Sequence, residues 1–291
     1  MDEHIVTLRA ITPVWTAGLD REGDVPREVG LMGSIRWWYE VLVRGLGGFA
    51  CDPTDNDRCA FDDAGYKVGG VDDGLRTVCP TCRLFGCGGW ASKVRLLATD
   101  AKGNANFSLE KAETEFQLHF WINKPLLVVE TWLLHQTFHL IDQYGALGGR
   151  TTLKPPKQPD YGQVRVLKNI SLSKKLERTD VTAWLVKMAQ NSSSLQSRQA
   201  HQSSEIPRLD LFFFKSNKWL DRQQMNEIVK ADRSGFMAGK RGISKKIFSS
   251  NGGNRFWGYA KDQRMLDSML RTLDRLHING VKTGQEVIHG L

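Results

Sequence analysis

Outside one 37-residue window, positions 51–87, the 291-residue chain has no cysteine. Whatever its five thiols do, they do in one place. Long hydrophobic runs are missing too. The longest, positions 125–134, is interrupted by Glu130 and Thr131, so neither a membrane span nor a membrane partner is expected. The start, Met1-Asp2-Glu3-His4, is acidic and lacks the basic-then-apolar layout of a signal peptide, which makes a cytoplasmic location the expectation. The glycine-rich stretch at 145–149 is not closed by Gly-Lys-Ser/Thr, which excludes a Walker loop. The seven histidines form no metal-ligand pattern; His135 and His139 share a helix face but lack the His-Glu-x-x-His arrangement. No Ser/His/Asp or Cys/His set can be argued, so no nucleophile is nominated.

What the chain does have is charge, unevenly spread. It carries 40 Lys+Arg and 32 Asp+Glu, a net +8. Positions 1–145 hold 14 basic against 20 acidic residues, and positions 146–291 hold 26 against 12. Hydrophobic content of 41% and charged content of 25% describe a globular protein of one or two domains. A chain with this asymmetry points to a polyanion along its second half, nucleic acid ahead of membrane.

In order along the chain, positions 4–11 alternate apolar and polar and predict a strand. Positions 12–18, Thr-Pro-Val-Trp-Thr-Ala-Gly, end it in an extended turn. Positions 30–46 predict a helix, with Ile35, Tyr39, Leu42 and Leu46 as its buried stripe. Arg36, Glu40 and Arg44 step by four along another face. Trp38 reads as core filler. Arg36 with Trp37, just after a glycine turn, pairs a guanidinium with an indole, a combination suited to a phosphate and a stacked base. Strands are predicted at 91–98 and 113–121, a helix at 126–144 and a strand at 164–167, an order that makes a βαββαβ ferredoxin-like unit. Beyond it, 181–190, 221–229 and 262–277 read as helices, 208–215 as a buried strand, and 190–204 as a mobile loop or a frayed helix end. Met265, Met269, Leu273 and Leu276 read as core. No clean second copy of the first unit is visible.

The five cysteines stand in an Asp- and Gly-rich stretch with little core of its own. Cys79-Pro80-Thr81-Cys82 is a knuckle that lets two thiolates reach one tetrahedral ion, and Cys51 with Cys59 would complete the set, Cys87 being the alternate. Structural zinc would turn binding energy into folding energy there. It is preferred to a redox pair, which would open a helix in a thioredoxin-like pattern, and to unrelated buried thiols. The glycine-rich stretch 145–154 could bring backbone N–H groups to a phosphate with Arg150 and Lys154 adding charge, or be an ordinary helix C-cap and turn. Asp20 and Asp24, in the acidic loop before the Trp helix, are the only carboxylates worth nominating for RNA chemistry, with solvated loop charges as the plainer reading.

Thr12-Pro13-Val14-Trp15-Thr16, Gly33-Ser34-Ile35-Arg36-Trp37-Trp38, Leu84-Phe85-Gly86 and the glycine-rich loop together resemble the RAMP superfamily of CRISPR proteins, and within it the Cmr-type first subunit of type III-B effector complexes. The resemblance covers about the first 165 residues. It implies an α+β chain of ferredoxin-like, RRM-like units, two in number: 1–167 with a zinc-stabilised, cysteine-rich insertion at 49–90, then a basic, degenerate unit at 168–291. It implies an RNA-binding subunit of a type III CRISPR ribonucleoprotein in antiviral defence, with CRISPR RNA, target RNA and other RAMP subunits as partners. Arg36, Trp37, Arg44, Gly148, Gly149, Arg150 and Lys154 would be its RNA contacts, and no residue catalytic. The alternative is an endoribonuclease acting through Asp20 or Asp24. The chain departs from the family pattern in two places. A three-proline stretch at 151–160 separates the glycine loop from Tyr161-Gly162, and Cys87 follows Leu-Phe-Gly where the family tends to have a small polar residue.

Overall fold

The computed structural model describes residues 2–16, 25–151, 160–239 and 245–291. Strand β1 (Glu3–Ala10) sends Val6, Leu8 and Ala10 to one face and Ile5, Thr7 and Arg9 to the other. It sits mid-sheet, antiparallel to β3 (Glu115–Ile122) and to β4 (Val164–Lys168), with β2 (Val94–Asp100) beyond β3, giving the order β2-β3-β1-β4. The register places apolar residues opposite each other, Val6 by Leu118, Leu8 by Phe116 and Leu96 by Phe120. Helices α1 (Glu28–Gly45) and α5 (Val128–Gln143) cover that face, burying Ile35, Tyr39 and Leu42 from the first and Leu134, Phe138 and Ile141 from the second. Phe120 and Phe138 meet edge to face at 5.7 Å. The outer face is polar, with Arg9 on Glu115 at 2.6 Å and Arg95 lying 5.4 Å from the ring of Trp121.

Between α1 and β2 lies the cysteine lobe, built on three short helices, α2 (Asp63–Gly69), α3 (Val71–Gly74) and α4 (Pro80–Phe85). It has a small core of its own, in which Phe49, Leu75, Val78 and Leu195 surround the thiols. Leu195 arrives from the second half. After α6 (Arg178–Gln190) comes α7 (Ser193–Ala200), capped by the Ser192 hydroxyl accepting from Leu195 N. The Ser/Gln-rich stretch at 190–204 is therefore largely a helix docked on the lobe, and not the mobile loop its composition suggests.

A second copy of the first unit does exist. Strand β5 (Phe212–Ser216), α8 (Arg222–Ala231), β6 (Ile247–Ser250), β7 (Arg255–Tyr259), α9 (Gln263–Arg275) and the two-residue β8 (Lys282–Thr283) repeat the βαββαβ order. Their sheet, β6-β7-β5-β8, repeats the topology of the first strand for strand; α10 (Gly284–His289) closes the described chain. Its pattern hides from sequence because β5 and β7 are buried on both faces, as in a sheet covered on each side. One cover is its own helices, through Met225, Ile228, Met269 and Leu273. The other is the first unit. Phe212 and Trp257 lie 6.0 and 5.2 Å from the Trp38 ring, and Phe214 lies 4.9 Å from Tyr144. The two units thus share one continuous core. Each fully buried aromatic in it contributes roughly 1.5–3 kcal/mol by area removed from water. Gly45 permits the contact, since a Cβ there would stand 2.5 Å from Leu209 Cβ.

Candidate nucleic-acid interface and metal centre

Three segments far apart in sequence are tied into one knot at the start of α1. Trp15 O accepts from Gly149 N at 2.8 Å, Ser34 Oγ accepts from Gly148 N at 3.0 Å, and Pro13 O accepts from Gly162 N at 2.7 Å. Thr16 Oγ1 accepts from Arg27 N at 2.8 Å and so steers the chain into the helix. Gly148 has φ +87°, and a Cβ on it would lie 2.6 Å from Trp15 O, so only glycine fits. Arg150, at φ +55°, lays its guanidinium 4.0 Å over the Trp15 ring. Trp38 Nε1 donates to Ala146 O at 2.9 Å, anchoring the loop from beneath.

Beside this knot a cleft of about 320 Å³ opens between the units. The first unit supplies Ser34, Trp37, Ala146, Gly148 and Thr151; the second supplies Lys245, Lys246, Phe248, Trp257 and Tyr259. Trp37 packs 6.1 Å from Trp257 and 6.5 Å from Tyr259 and is only partly buried, whereas Trp38, Phe248, Trp257 and Tyr259 are buried. Burial pushes the Lys246 ammonium below its ordinary value, with Glu205 partly offsetting it, and burial raises the Tyr259 phenol. The cleft is an aromatic slot with two cations at its edge.

The candidate metal centre lies beside α1, reached by Arg36. Cys51, Cys59, Cys79 and Cys82 are all buried, and their Sγ atoms all lie within 4.8 Å of one another. Cys51 to Cys82 is 3.4 Å and Cys51 to Cys79 is 3.9 Å. A tetrahedral site with Zn–S bonds of about 2.3 Å has S···S edges of about 3.8 Å. The donor set therefore fits a four-thiolate ion. Cys87 is half-buried beside Cys82 and outside this quartet. Arg36 Nη2 donates to Cys82 Sγ at 3.2 Å, Arg198 Nη1 to Cys59 Sγ at 3.5 Å, and Cys79 N to Cys59 Sγ at 3.3 Å. These contacts favour thiolate over thiol.

The model of the RAMP superfamily matches residues 7–153, half of the chain. The chain belongs to the RAMP superfamily. Among solved structures, this RAMP chain is similar to Cmr1 from Pyrococcus furiosus in its apo form, at 10% identity and a TM-score of 0.48 over 98% of this chain and 99% of that one. It is also similar to a chain of the type III-B Cmr-beta complex bound to cognate target RNA and AMPPnP, at 11% identity and a TM-score of 0.48 over 94% and 99%. No curated protein matches its sequence.

Set against the RAMP fold, the nominated residues part company. Trp37, Gly148, Gly149 and Arg150 converge on the cleft and its knot. Arg36 turns the other way: its guanidinium is spent on Glu40 at 2.9 Å, Gly86 O at 3.3 Å and Cys82 Sγ. Arg44 is a correction. Its side chain is 3% exposed, and it donates to Ala50 O, Cys51 O, Pro207 O and Glu40, so it has nothing left for RNA. The N–H groups of Gly148 and Gly149 are likewise engaged within the protein, so among the described residues the loop offers RNA the Arg150 side chain and not these two backbone donors. Lys154, Asp20 and Asp24 lie outside the described residues. Sequence reasoning missed Lys245, Lys246 and Tyr259, although the basic, aromatic stretch 233–259 was the available signal. It also missed Arg198, which nothing in the sequence links to a cysteine 139 positions away.

Proposed function

We propose that this RAMP chain is a non-catalytic RNA-binding subunit of a type III CRISPR ribonucleoprotein effector, holding guide or target RNA beside other RAMP subunits. The observation that carries the reading is the convergence of the Thr-Pro turn, the Gly-Ser-Ile-Arg-Trp-Trp helix start and the glycine loop in one knot, with Arg150 on it and beside it a cleft edged by Lys245 and Lys246. Family membership and the basic second half support it. Affinity for single-stranded RNA should come largely from phosphate neutralisation and fall steeply between about 50 and 200 mM salt. Anisotropy titrations should show Arg150→Ala and Lys245→Ala each lowering the salt slope by about 1. Absence of RNA binding by the folded chain, or binding indifferent to salt, would sink the reading. Cleavage of target RNA by an assembled complex should be unchanged by Asp20→Ala or Asp24→Ala; its loss would favour the endoribonuclease.

The metal of the quartet is zinc, in a closed structural site. All-thiolate tetrahedral coordination suits it, and the surrounding charge balances. Four thiolates around a divalent ion leave two negative charges and buried Glu40 adds a third; Arg36, Arg44 and Arg198 bring three positive charges into contact with that set. Metal analysis should find about one zinc per chain, as a single four-ligand site requires.

A further inference from the structure

We propose that the inter-unit cleft captures the base of a single unpaired nucleotide, with Trp37 as its stacking surface and Lys245 and Lys246 at its phosphate. This rests on the RNA-binding reading and assigns that site a ligand of one nucleotide.

Size comes first. At about 320 Å³ the cleft stands at the small end of small-ligand sites, about 300–1,000 Å³. It has room for one nucleotide and none for a helix, so a base must leave its stack to enter. The walls come next. Four of the five rings lining it, Trp38, Phe248, Trp257 and Tyr259, are buried in packing with each other or with the first unit. Trp37 alone keeps surface to give, and a sequence-tolerant π-face is what an unstacked base seeks. The rings behind it hold Trp37 in place, so little side-chain freedom is lost on binding.

Polar groups complete the site. Among the described residues neither the Tyr259 hydroxyl nor the Lys246 ammonium has a hydrogen-bond partner, and both border the cleft. Lys246 lies 5.7 Å from the Tyr259 ring and 5.5 Å from the Phe236 ring; among the described residues it is a partly buried cation with no counter-charge in contact, Glu205 acting on it only from a distance. An incoming phosphate would supply that counter-charge. The first unit's side of the cleft is otherwise backbone and small side chains, Ser34, Ala146 and Gly148. An internal base pulled from the strand and a nucleotide at an RNA end share this chemistry.

The test uses the intact, zinc-loaded chain and ten-residue ribose-phosphate strands that are abasic throughout or carry one adenine. Salt-dependent binding of the fully abasic strand reports the phosphate contacts alone, and so tests the RNA-binding reading separately. One adenine should tighten binding by about tenfold or more, the scale of a single base stacked on an aromatic ring. A second adenine should add less than twofold. Adenine placed centrally or at either end distinguishes an extruded base from a terminal one. In Trp37→Ala the gain from the adenine should vanish while the abasic strand still binds. Because that ring also touches the second sheet, Lys246→Gln serves as the independent variant: it should weaken the abasic and the one-base strands alike. No gain from one adenine, a gain that grows with every added base, or a full gain in Trp37→Ala overturns the proposal while leaving the RNA reading intact. Failure of every strand to bind overturns both.

Discussion

Glu130 is 1% exposed and grips Lys93 Nζ through both carboxylate oxygens at 2.8 Å, while also accepting from Leu127 N at the start of α5. Removing one partner of such a pair strands the other charge in a low-dielectric interior. Glu130→Ala should therefore cost about 3–5 kcal/mol in urea unfolding; a loss under about 1 kcal/mol would place the pair in water instead. Arg44 makes a sharper comparison, because sequence reasoning grouped it with Arg150. Arg44→Met strips Cys51 O and Pro207 O of the donor this side chain supplies, and leaves Ala50 O with Gln202 alone and Glu40 with Arg36 alone. It should destabilise by several kcal/mol, on the order of 3. In the fraction that folds, the salt slope of RNA binding should match wild type. Arg150→Ala should do the reverse, holding stability within about 0.5 kcal/mol while lowering the slope.

At the scale of elements, α7 acts as a latch on the metal lobe. Arg198 donates to Cys59 Sγ, Thr77 O and Asp57 O, Gln199 to Gly47 O, and Gln202 to Ala50 O. Partners that orient metal ligands typically matter by 10–100-fold in metal affinity. In the metal-loaded chain, Arg198→Ala should raise the rate of metal loss to a chelator by about that factor, and chelation of wild type should open residues 190–204 to protease. Unchanged metal loss in the variant, with residues 190–204 equally protected, would detach α7 from the lobe. The same element shows why sequence was partly illegible. The first unit could be read because its strands have one dry and one wet face and its helices have one dry stripe, so period 2 and period 3.6 both survive. In α7 the few apolar residues of a polar helix are supplemented by hydrogen bonds to a lobe 140 positions upstream, which no local pattern records. The Arg36-Glu40-Arg44 ladder misled for a related reason. Charges four apart usually mark a solvated face, but here the cysteine lobe folds back over them. Strands β5 and β7 lost their alternation because both faces are covered. The cysteine spacing, by contrast, was legible at once, since ligand geometry constrains the sequence directly.

For the whole molecule, burial holds His139 below its usual value, against a smaller upward pull from Asp142. The neutral ring is thus the form that suits the fold. Its contribution is present above the unfolded value, about 6.5, and is lost as pH falls below that. Wild type should lose more thermal stability between about pH 7 and pH 5.5 than His139→Gln does; equal losses would show that other groups carry the acid sensitivity. The shared core also has a consequence in time. Trp37 and Trp38 leave the ribosome some 220 residues before Trp257 and Tyr259, the rings that cover them. At translation speeds of about 5–20 residues per second, that apolar face waits on the order of 10–45 s for its partner. A chain stopped before Trp257 would leave that face uncovered and should aggregate more readily than the full chain, as light scattering would show.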